Sequence, residues 1–398
     1  MNSINKINFK GKKVLVRVDF NVPVDDNQRI TDDTRIRESL PTINKLLGDG
    51  ASVILMAHFG RPKKGGFEKE LSLEPIAKHC SKLLGQEVIF SQDLFSDKSV
   101  ERAREMKDGQ VMLLENIRFY PEETKGDEGF AERLSKLGDA YVNDAFGAAH
   151  REHVSTAIIA KYFPESKYFG LLMESEVNNL EKLMRNPQRP FTAIIGGAKV
   201  SSKIDVIKNL IPIADNIIIG GGMAYTFHKS MGFEIGDSLC EDDKLDIAKE
   251  LLEEVKDGKT KIYLPQDQII ADRFDNNANR METKDKNIKK DWMGMDIGPK
   301  AVEEFENIIL ESKTILWNGP MGVFEMSNFS KGSFAIAEAI AKASEKGAFS
   351  AVGGGDSVAA INQSGFADKM SYISTGGGAM LEYLEGKTLP GIRYILEK

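Results

Sequence analysis

The apolar residues of the chain fall into short runs rich in Val and Ile, and between these runs apolar residues recur with the period of an amphipathic helix. Such alternation is typical of a parallel sheet built from β-α units. The strands predicted for the first half are KKVLVRVDF, ASVILMAH, EVIF, VMLLENIRF and DAYVNDAF. Those predicted for the second half are FTAIIGGA, NIIIGGGM, KIYLPQD, KTILWNGP, FSAVGGG and MSYISTGGG. The pattern therefore predicts an α/β fold with parallel sheets.

One segment near the middle of the chain predicts a helix between the two halves. MESEVNNLEKLMR, from Met173 to Arg185, has the helical period, and the NPQRP that follows should end the helix sharply. A length of 398 residues exceeds what one core usually supports and points to two domains, or three. We therefore expect this helix to connect two domains.

The predicted strands of the two halves end in different residues. In the first half the strand ends are polar or basic, and the residues concerned are Asp19, Asn21, His58, Arg61, Arg118 and, just past the last strand, Arg151. In the second half five strands run into glycine, at Gly196–Gly197, Gly220–Gly222, Gly319, Gly353–Gly355 and Gly376–Gly378. Ligands of open α/β sheets bind outside the carboxyl ends of the strands. The first edge therefore suits a compact anion, and the second suits a ligand that needs close approach to the backbone.

Two glycine-rich stretches of the second half predict a phosphate site. In SAVGGGDSVAAI, from Ser350 to Ile361, a strand leads through glycines into a helix whose free N–H groups favour an anion. In GGAKVSSKIDVI, a helix beginning near Val200 would place Lys199 and Lys203 about one turn apart and able to point the same way. Two ammonium groups beside a glycine turn are suited to a polyphosphate.

Composition narrows the class of ligand. The chain is 41% hydrophobic and 28% charged, as in ordered globular proteins, and its net charge of −7 argues against binding nucleic acid or a membrane surface. Ten of the fifteen arginines and four of the five histidines nevertheless precede residue 155, which indicates a basic pocket for a small anion. Cys80 and Cys240 lack metal-site spacing, and no signal segment or membrane-length apolar run is evident. We expect free thiols and a cytoplasmic location.

Several common motifs are incomplete in this sequence. GxGxxG and the Walker A loop are missing, and both GKT sequences lack the earlier glycine of a Walker A loop. GDSVA, from Gly355 to Ala359, differs from the nucleophile elbow GxSxG at its last residue, so Ser357 is a weak candidate nucleophile. His150 and His153 have HxxH spacing rather than HExxH, which favours contact with an anion or a polar surface position over a zinc site.

Taken together, the motifs resemble the phosphoglycerate kinase family. RVDFNVP, HFGRP, ENIRF, VNDAFGAAHR, GGAKVSSK, WNGPMGVFE, GGGDS and STGGGA occur in the family's order and at its spacing, from about residue 14 to 380. The resemblance implies two Rossmann-like domains, residues 1–172 for phosphoglycerate and 187–379 for the nucleotide, joined by a helix at 173–186. It also implies that the tail, 380–398, packs back on the first domain, and that the enzyme is a hinge-bending monomer. The implied glycolytic reaction transfers a phosphoryl group between 1,3-bisphosphoglycerate and ADP, giving 3-phosphoglycerate and ATP with Mg²⁺.

The resemblance also implies roles for individual residues. Those implied to hold phosphoglycerate are Asp19, Phe20, Asn21, Arg35, His58, Phe59, Gly60, Arg61, Arg118 and Arg151. Those implied to bind the nucleotide are Gly197, Lys199, Lys203, Gly294, Asn318, Glu325, Gly354, Gly355, Asp356 and Ser357, with Asp356 also holding Mg²⁺. Arg35, Lys199 and Gly377 are implied to act on the transferred phosphoryl group. Phe59, Ala148 and Ser202 stand where the family often has Leu, Thr and Asp.

The chemistry agrees with these residue types. The acceptor carboxylate, with a pKa of about 4, is already ionised at neutral pH, so the transfer needs no general base. Catalysis then reduces to in-line placement, charge neutralisation and exclusion of water by domain closure. A bound Mg²⁺ would also reconcile Asp356 with the phosphates beside it. Two alternatives remain at this point: a hinged protein that binds an anion without chemistry, and a dehydrogenase or hydrolase on the same fold.

Overall fold

The computed structural model describes residues 2–63 and 65–397, and the chain divides into two compact units. Unit 1 comprises Met1–Asn178 and Thr388–Lys398, and unit 2 comprises Asn179–Lys387. The expected connecting helix is α6, Leu171–Arg185, and the division between the units falls within it. No helix in the described ranges is long and apolar enough to cross a membrane.

Unit 1 is built on one parallel sheet. Its strands and helices are β1 (Lys13–Arg17), α1 (Thr34–Gly48), β2 (Ser52–Met56), α2 (Glu74–Leu84), β3 (Val88–Ser91), α3 (Asp97–Glu105), β4 (Val111–Leu114), α4 (Pro121–Lys125), α5 (Glu128–Ser135), β5 (Ala140–Asn143) and β6 (Lys167–Phe169). The strand order is β3-β4-β2-β1-β5-β6. The central strands are buried along nearly their whole length, which explains their continuous apolar sequence. The strands that follow β1 in sequence, β2 to β4, lie on one side of it, and β5 and β6 lie on the other. A ligand crevice is therefore expected where the strand order reverses, outside the carboxyl ends of β1 and β5.

Unit 2 contains a second parallel sheet and a smaller antiparallel one. Its elements are β7 (Phe191–Ile195), α7 (Ile204–Leu210), β8 (Asn216–Ile219), α8 (Met223–Ser230), α9 (Leu245–Glu254), β9 (Lys261–Tyr263), β10 (Gln268–Ala271), β11 (Arg280–Glu282), β12 (Met293–Ile297), α10 (Pro299–Glu311), β13 (Thr314–Asn318), α11 (Lys331–Glu345), β14 (Phe349–Val352), α12 (Gly355–Ser364), β15 (Tyr372–Ile373) and α13 (Gly377–Leu384). The large sheet has the order β15-β14-β13-β7-β8-β9. Its strands are parallel, and the order in which they follow one another in sequence reverses between β7 and β13. The α/β fold with two parallel sheets is thus confirmed.

Two parts of the fold were not anticipated from the sequence. The antiparallel sheet β11-β10-β12 was missed, as was the edge strand β6. Short 3₁₀ helices also occur, at Ile4–Lys6, Lys69–Leu71, Ile117–Phe119, Phe146–Ala148, Ile158–Tyr162, Val200–Ser202, Asp242–Lys244, Ser327–Phe329 and Ala367–Lys369.

The chain ends with α14, Pro390–Leu396, which packs within unit 1. The Gly391 N–H donates to the Ala149 carbonyl at 2.8 Å, and the Gly391 carbonyl accepts from the Asn143 amide at 3.2 Å. Arg393 also pairs with Glu152 at 2.9 Å. The last residues of the chain therefore contact both sides of the loop that carries Arg151.

Candidate active site

The loop after β1 forms a polar edge at the carboxyl end of this strand in unit 1. The Asn21 side-chain oxygen accepts from the Gly60 N–H at 2.9 Å, while its backbone carbonyl accepts from Arg35 Nη1 at 3.0 Å. The same Arg35 nitrogen lies 3.3 Å from Asp19 Oδ2. Arg35 belongs to the first turn of α1 rather than to a strand end, and these contacts bring it to the edge formed by Asp19 and Asn21.

The turn after β2 links this edge to a second arginine. Gly60 has φ of +60°, and a Cβ there would lie 2.5 Å from Leu71 Cδ2, so the turn requires glycine. Its carbonyl accepts from Arg118 Nη1 at 2.9 Å. Gly60 thus bonds Asn21 through its N–H and Arg118 through its carbonyl, and so connects two residues that are far apart in sequence.

A basic cavity of about 530 Å³ lies beside this turn. Its lining residues are Arg61, Pro62, Gly65, Arg118, Pro121, Thr124, Arg151 and His153. Three of the predicted arginines are therefore brought together here. Guanidinium groups match the oxygens of phosphate and carboxylate groups, so the cavity has the chemistry of a small-anion site.

Burial, reinforced by repulsion among these cations, lowers the pKa values of several residues at this site. Burial, followed by repulsion from Arg151 and Arg17, lowers the pKa of Arg118 to about 10. Burial and repulsion from Arg118 and Arg151 lower the pKa of His153 to about 4. The pKa of His58 also falls well below its usual range, first because of burial and then because of Arg17. A bound anion would relieve the repulsion among the arginines. The lowered pKa values make both histidines weak bases at neutral pH.

Two of the predicted phosphoglycerate residues lie in the hydrophobic core. The Phe20 side chain is fully buried among the core residues of unit 1, and Phe59 is nearly so. Both backbone polar groups of Phe59 bond the Asn116 side chain, its N–H at 3.2 Å and its carbonyl at 2.7 Å. These two phenylalanines support the loops that carry the polar residues.

The carboxyl ends of β7 and β13 meet at glycines in unit 2. The Gly196 N–H donates to the Asn318 carbonyl at 2.9 Å, and the Gly197 N–H donates to the Pro320 carbonyl at 3.1 Å. A Cβ on Gly196 would lie 2.1 Å from the Pro320 oxygen. Side chains are therefore excluded from this crossing, and the two buried backbone segments pack directly against each other at the point where the strand order reverses.

Asn318 organises the phosphate end of this crevice. Its side-chain oxygen accepts from Lys203 Nζ, and its amide donates to the Gly353 carbonyl at 2.8 Å. A cavity of about 280 Å³ beside it is lined by Lys203, Asn318, Gly319, Gly354, Gly355, Asp356, Ser357, Gly377, Gly378 and Leu381. The first residues of both α12 and α13 therefore face one cavity that also contains an ammonium group. Two helix N-termini and a lysine favour a polyanion.

The helix after β7 begins later than the sequence predicted. Val200–Ser202 forms a 3₁₀ turn, and α7 starts at Ile204, so Lys203 precedes the helix instead of lying on its first turn. Lys199 and Lys203 still line one cavity of about 320 Å³, together with Gly197 and Asp356. The prediction of the helix start was wrong, but the two lysines do share a pocket.

An apolar cavity of about 340 Å³ adjoins the phosphate end. Its lining residues are Gly197, Ala198, Gly221, Gly222, Tyr225, Leu239, Phe274, Met293, Gly294, Met295, Pro320, Gly322, Val323, Glu325 and Asp356. A Cβ on Gly294 would lie 2.1 Å from the Tyr225 hydroxyl oxygen. Gly294 and Glu325 both line this cavity, whose apolar walls have the chemistry to hold an aromatic base.

Asp356 lies at the junction of these cavities and is the residue with the chemistry to hold a cation. It lines all three of them, is exposed, and lies close enough to Lys203 to raise the pKa of that lysine against the larger lowering effect of burial. Mg²⁺ is usually held in kinases by one or two carboxylates, waters and substrate phosphates rather than by an all-protein cage. The donor set at Asp356 fits that arrangement.

The residues of the incomplete motifs have structural surroundings. Ser357 is buried, and its Oγ accepts from the Gly319 N–H at 2.6 Å. His150 Nε2 accepts from Arg151 Nε at 3.2 Å. Cys80 is buried, and burial raises the pKa of its thiol to about 12. Within residues 2–63 and 65–397, no group of three or more His, Cys, Asp or Glu side chains is placed to hold a metal ion.

Sequence reasoning missed two groups of residues at these pockets. One is the apolar wall of Tyr225, Leu239, Phe274, Met293 and Met295, which comes from distant segments and has no motif. The other is a buried network beneath the basic residues, formed by Arg17, Glu123 and Ser155. Only Arg17 had a visible signal, because it is a charge within the apolar run VLVRV.

Comparison with known proteins gives one consistent result. The family model described as phosphoglycerate kinase matches residues 4–387. The phosphoglycerate kinases of Porphyromonas gingivalis and Nostoc punctiforme are both 52% identical to this chain, over 99% and 98% of its length and 99% and 97% of theirs. Among solved structures, the phosphoglycerate kinase of Coxiella burnetii is 40% identical, with a TM-score of 0.91 and coverage of 99% of this chain and 98% of that one. The enzyme of Pyrococcus horikoshii is 33% identical with a TM-score of 0.82 and the same coverage.

Proposed function

The chain belongs to the phosphoglycerate kinase family and is an enzyme of class EC 2.7.2.3, and on this premise we propose how its residues perform the reaction. Phosphoglycerate binds in the basic cavity of unit 1, and ADP or ATP binds in the crevice of unit 2. The observation that carries this assignment is the contrast between the two pockets: clustered arginines in the first, and paired helix N-termini beside an apolar cavity in the second.

In unit 1 the substrate is oriented by Asp19, Asn21, Arg35, His58 and Gly60. Its charge is neutralised by Arg61, Arg118 and Arg151. The Arg35 side chain remains 39% exposed beside Asp19, so it is accessible to a ligand. In unit 2, Lys203 and Asn318 with the α12 and α13 N-termini bind the phosphates, and Gly294 and Glu325 border the adenosine. In this arrangement each cationic side chain lies beside a group of the substrates that is negatively charged or becomes so during transfer.

Transfer proceeds in line and without a general base. The acceptor carboxylate is ionised at neutral pH, and the histidines nearest the basic cavity have lowered pKa values, so they are poorly suited to removing a proton. Arg35 and Lys199 neutralise the charge that develops on the phosphoryl group, and Gly377 contributes its backbone N–H. Bound through Asp356, Mg²⁺ would supply charge neutralisation to the nucleotide phosphates.

A coupled assay tests the proposal. 3-Phosphoglycerate and MgATP are supplied and ADP formation is followed; absence of turnover by the wild-type chain would refute the function. Arg35→Ala and Lys199→Ala should each lower kcat by about 10²- to 10³-fold, as for other preorganised charge donors. Arg37→Ala on α1 and Lys208→Ala on α7 are matched controls, because both side chains are exposed to solvent, and these should retain activity. Retained turnover in Lys199→Ala would overturn only the role of Lys199.

The two ligands bind to different units, so transfer requires them to be brought together. Reacting atoms must approach to about 3–3.5 Å with water excluded. We propose that the enzyme works as a cytoplasmic, hinge-bending monomer that closes when both ligands are bound. Small-angle scattering should give a smaller radius of gyration for the ternary complex than for the free enzyme, and equal radii would contradict closure.

A further inference from the structure

Arg17, the last residue of β1, is almost completely buried and is bonded on three sides. Its Nε donates to Ser155 Oγ at 2.8 Å, and its Nη1 donates to the Val18 carbonyl. Its Nη2 lies 2.9 Å from Nδ1 of His58. Burying a guanidinium group costs free energy unless it is paired and fully bonded. The burial of a charged residue at this position therefore needs an explanation. Arg17 has no part in the function proposed above.

The negative charge that compensates Arg17 is Glu123, and Ser155 lies between them. Glu123 is buried; its Oε1 accepts from the Ser155 hydroxyl at 2.7 Å, and its Oε2 accepts from the Ser155 N–H at 3.0 Å. Burial raises the pKa of Glu123, but Arg17 and both bonds from Ser155 favour the ionised form. An ionised carboxylate only accepts. The Ser155 proton therefore points to Glu123, and a Ser155 lone pair receives Arg17 Nε–H.

This order of donors and acceptors determines the proton on His58. A guanidinium group carries five N–H donors, has no acceptor and does not lose a proton in proteins. The His58 nitrogen that faces it, Nδ1, must therefore accept. A neutral imidazole that accepts at Nδ1 carries its proton on Nε2. Either other state of the ring would place an N–H of His58 against an N–H of Arg17.

We propose that Arg17, oriented by Ser155 and Glu123, is a positioning residue that holds His58 as a neutral Nε2–H donor to the phosphoglycerate anion. The inference rests on the proposed function for the identity of the anion and for its contact with His58, but the state of the ring does not depend on it. With the opposite tautomer, a lone pair on Nε2 would face the anion and weaken its binding. Arg17 thereby acts on the substrate through His58.

Burial and the charges around His58 both disfavour protonation of its ring. The cations that act on it are Arg17, Arg118, Arg151 and Arg35, and together with burial they hold its pKa well below the usual value. The carboxylates of Glu123 and Asp19 stabilise the guanidinium charge of Arg17. We therefore expect the His58 ring to remain a neutral hydrogen-bond donor at neutral pH and to resist protonation as the pH falls.

Nitrogen-15 NMR of the histidine rings in the ligand-free, full-length wild-type enzyme tests the tautomer directly. The His58→Gln variant identifies the His58 signals by their loss. We expect protonated Nε2 and unprotonated Nδ1, unchanged from about pH 5.5 to 8.5, because the ordinary pKa of histidine is about 6.5 and this one is lowered. A proton on Nδ1 at neutral pH, or titration near 6.5, would overturn the inference.

A double-mutant cycle tests whether Arg17 acts through His58. Calorimetric binding of 3-phosphoglycerate is measured for Arg17→Met in the wild-type and His58→Gln backgrounds. Loss of a hydrogen bond to a charged group corresponds to about a 10- to 100-fold weaker affinity in the wild-type background, and we expect a clearly smaller loss in the second background. Equal losses in the two backgrounds would show that Arg17 acts by its own charge and would refute the positioning role.

Controls separate this inference from folding and from the proposed function. Arg133→Met removes an arginine of the same unit that stacks over the Phe95 ring at 4.4 Å, and it should leave both the His58 signals and the affinity unchanged. If Arg17→Met does not fold, Ser155→Ala replaces it in the cycle, since it removes the orienting hydroxyl and keeps both charges. Failure of wild-type enzyme to bind 3-phosphoglycerate would refute the function, while the NMR result would still decide the tautomer.

Discussion

Gly294→Ala is expected to impair nucleotide binding and the stability of unit 2 together, while sparing phosphoglycerate binding. The added Cβ would lie 2.1 Å from the Tyr225 hydroxyl oxygen and 2.2 Å from its Cζ. Carbon atoms pack at about 3.5–4.0 Å, so the ring would have to move by more than about 1 Å. Tyr225 cannot retreat easily, because it packs against the buried side chains of Ile235, Ile270 and Ile288.

The expected magnitude follows from this contact. Overpacking a well-packed site costs about 1–3 kcal/mol. For a unit of this size, each kcal/mol lowers the melting temperature by about 2–4 °C, so we expect a fall of about 2–12 °C. Tyr225 and Gly294 also line the cavity proposed for adenosine, so a displaced ring should raise the KM for ATP. A loss of about 1.4 kcal/mol would correspond to a tenfold increase.

Differential scanning fluorimetry and steady-state kinetics measure both effects, with Gly258→Ala as the matched control. A Cβ at Gly258 would meet its nearest atom, the Val255 oxygen, at 3.5 Å, which is ordinary contact. The control should therefore keep the wild-type melting temperature to within a degree or two and the wild-type KM values. A Gly294→Ala enzyme with unchanged melting temperature and unchanged KM for ATP would refute the packing argument.

Three further predictions concern single residues. Asp356→Asn should raise the Mg²⁺ concentration needed for half-maximal activity, measured by titrating Mg²⁺ at fixed ATP, and an unchanged titration would exclude Asp356 as the cation ligand. Asn318→Ala removes the acceptor of Lys203 Nζ and the donor to the Gly353 carbonyl, and we expect the KM for ATP to rise about tenfold or more, with the KM for 3-phosphoglycerate unchanged. Burial raises the pKa of Asp144 to about 7, so the folded state keeps this proton to higher pH than the unfolded state does. The free energy of unfolding should therefore fall as the pH rises from about 4 to 7. Urea titrations of Asp144→Asn should show a weaker decline over this range than those of the wild type, and equal declines would contradict the assignment.

The sequence predicted the fold best where the elements are defined by local pattern. The parallel strands are continuous apolar runs because helices cover both faces of each sheet, so periodicity was enough to find them. The strands β10 and β11 are only a few residues long, and β11 is exposed throughout, so their pairing depends on partners elsewhere in the chain. Local pattern carries no information about such pairing.

The candidate site shows the same division. Glycines and cations that follow strands were recognisable, because the carboxyl edge of a parallel sheet gathers them regardless of the intervening sequence. The start of α7 was misjudged because VSSK is compatible with either a 3₁₀ turn or an α-helix. Arg17, Glu123 and Ser155 come from three separate segments, and only the folded chain shows that they form one network.

The position of α14 has a consequence for synthesis of the chain. Unit 1 is made from the first and the last segments of the sequence, so a ribosome must release the whole of unit 2 before α14 is available to bond Asn143 and Ala149. At about 5–20 residues per second, the nascent first segment waits for more than ten seconds without its final helix. The loop that carries Arg151 therefore obtains these neighbours only after unit 2 has been synthesised, and deletion of α14 would disturb a pocket encoded mostly by the N-terminal half.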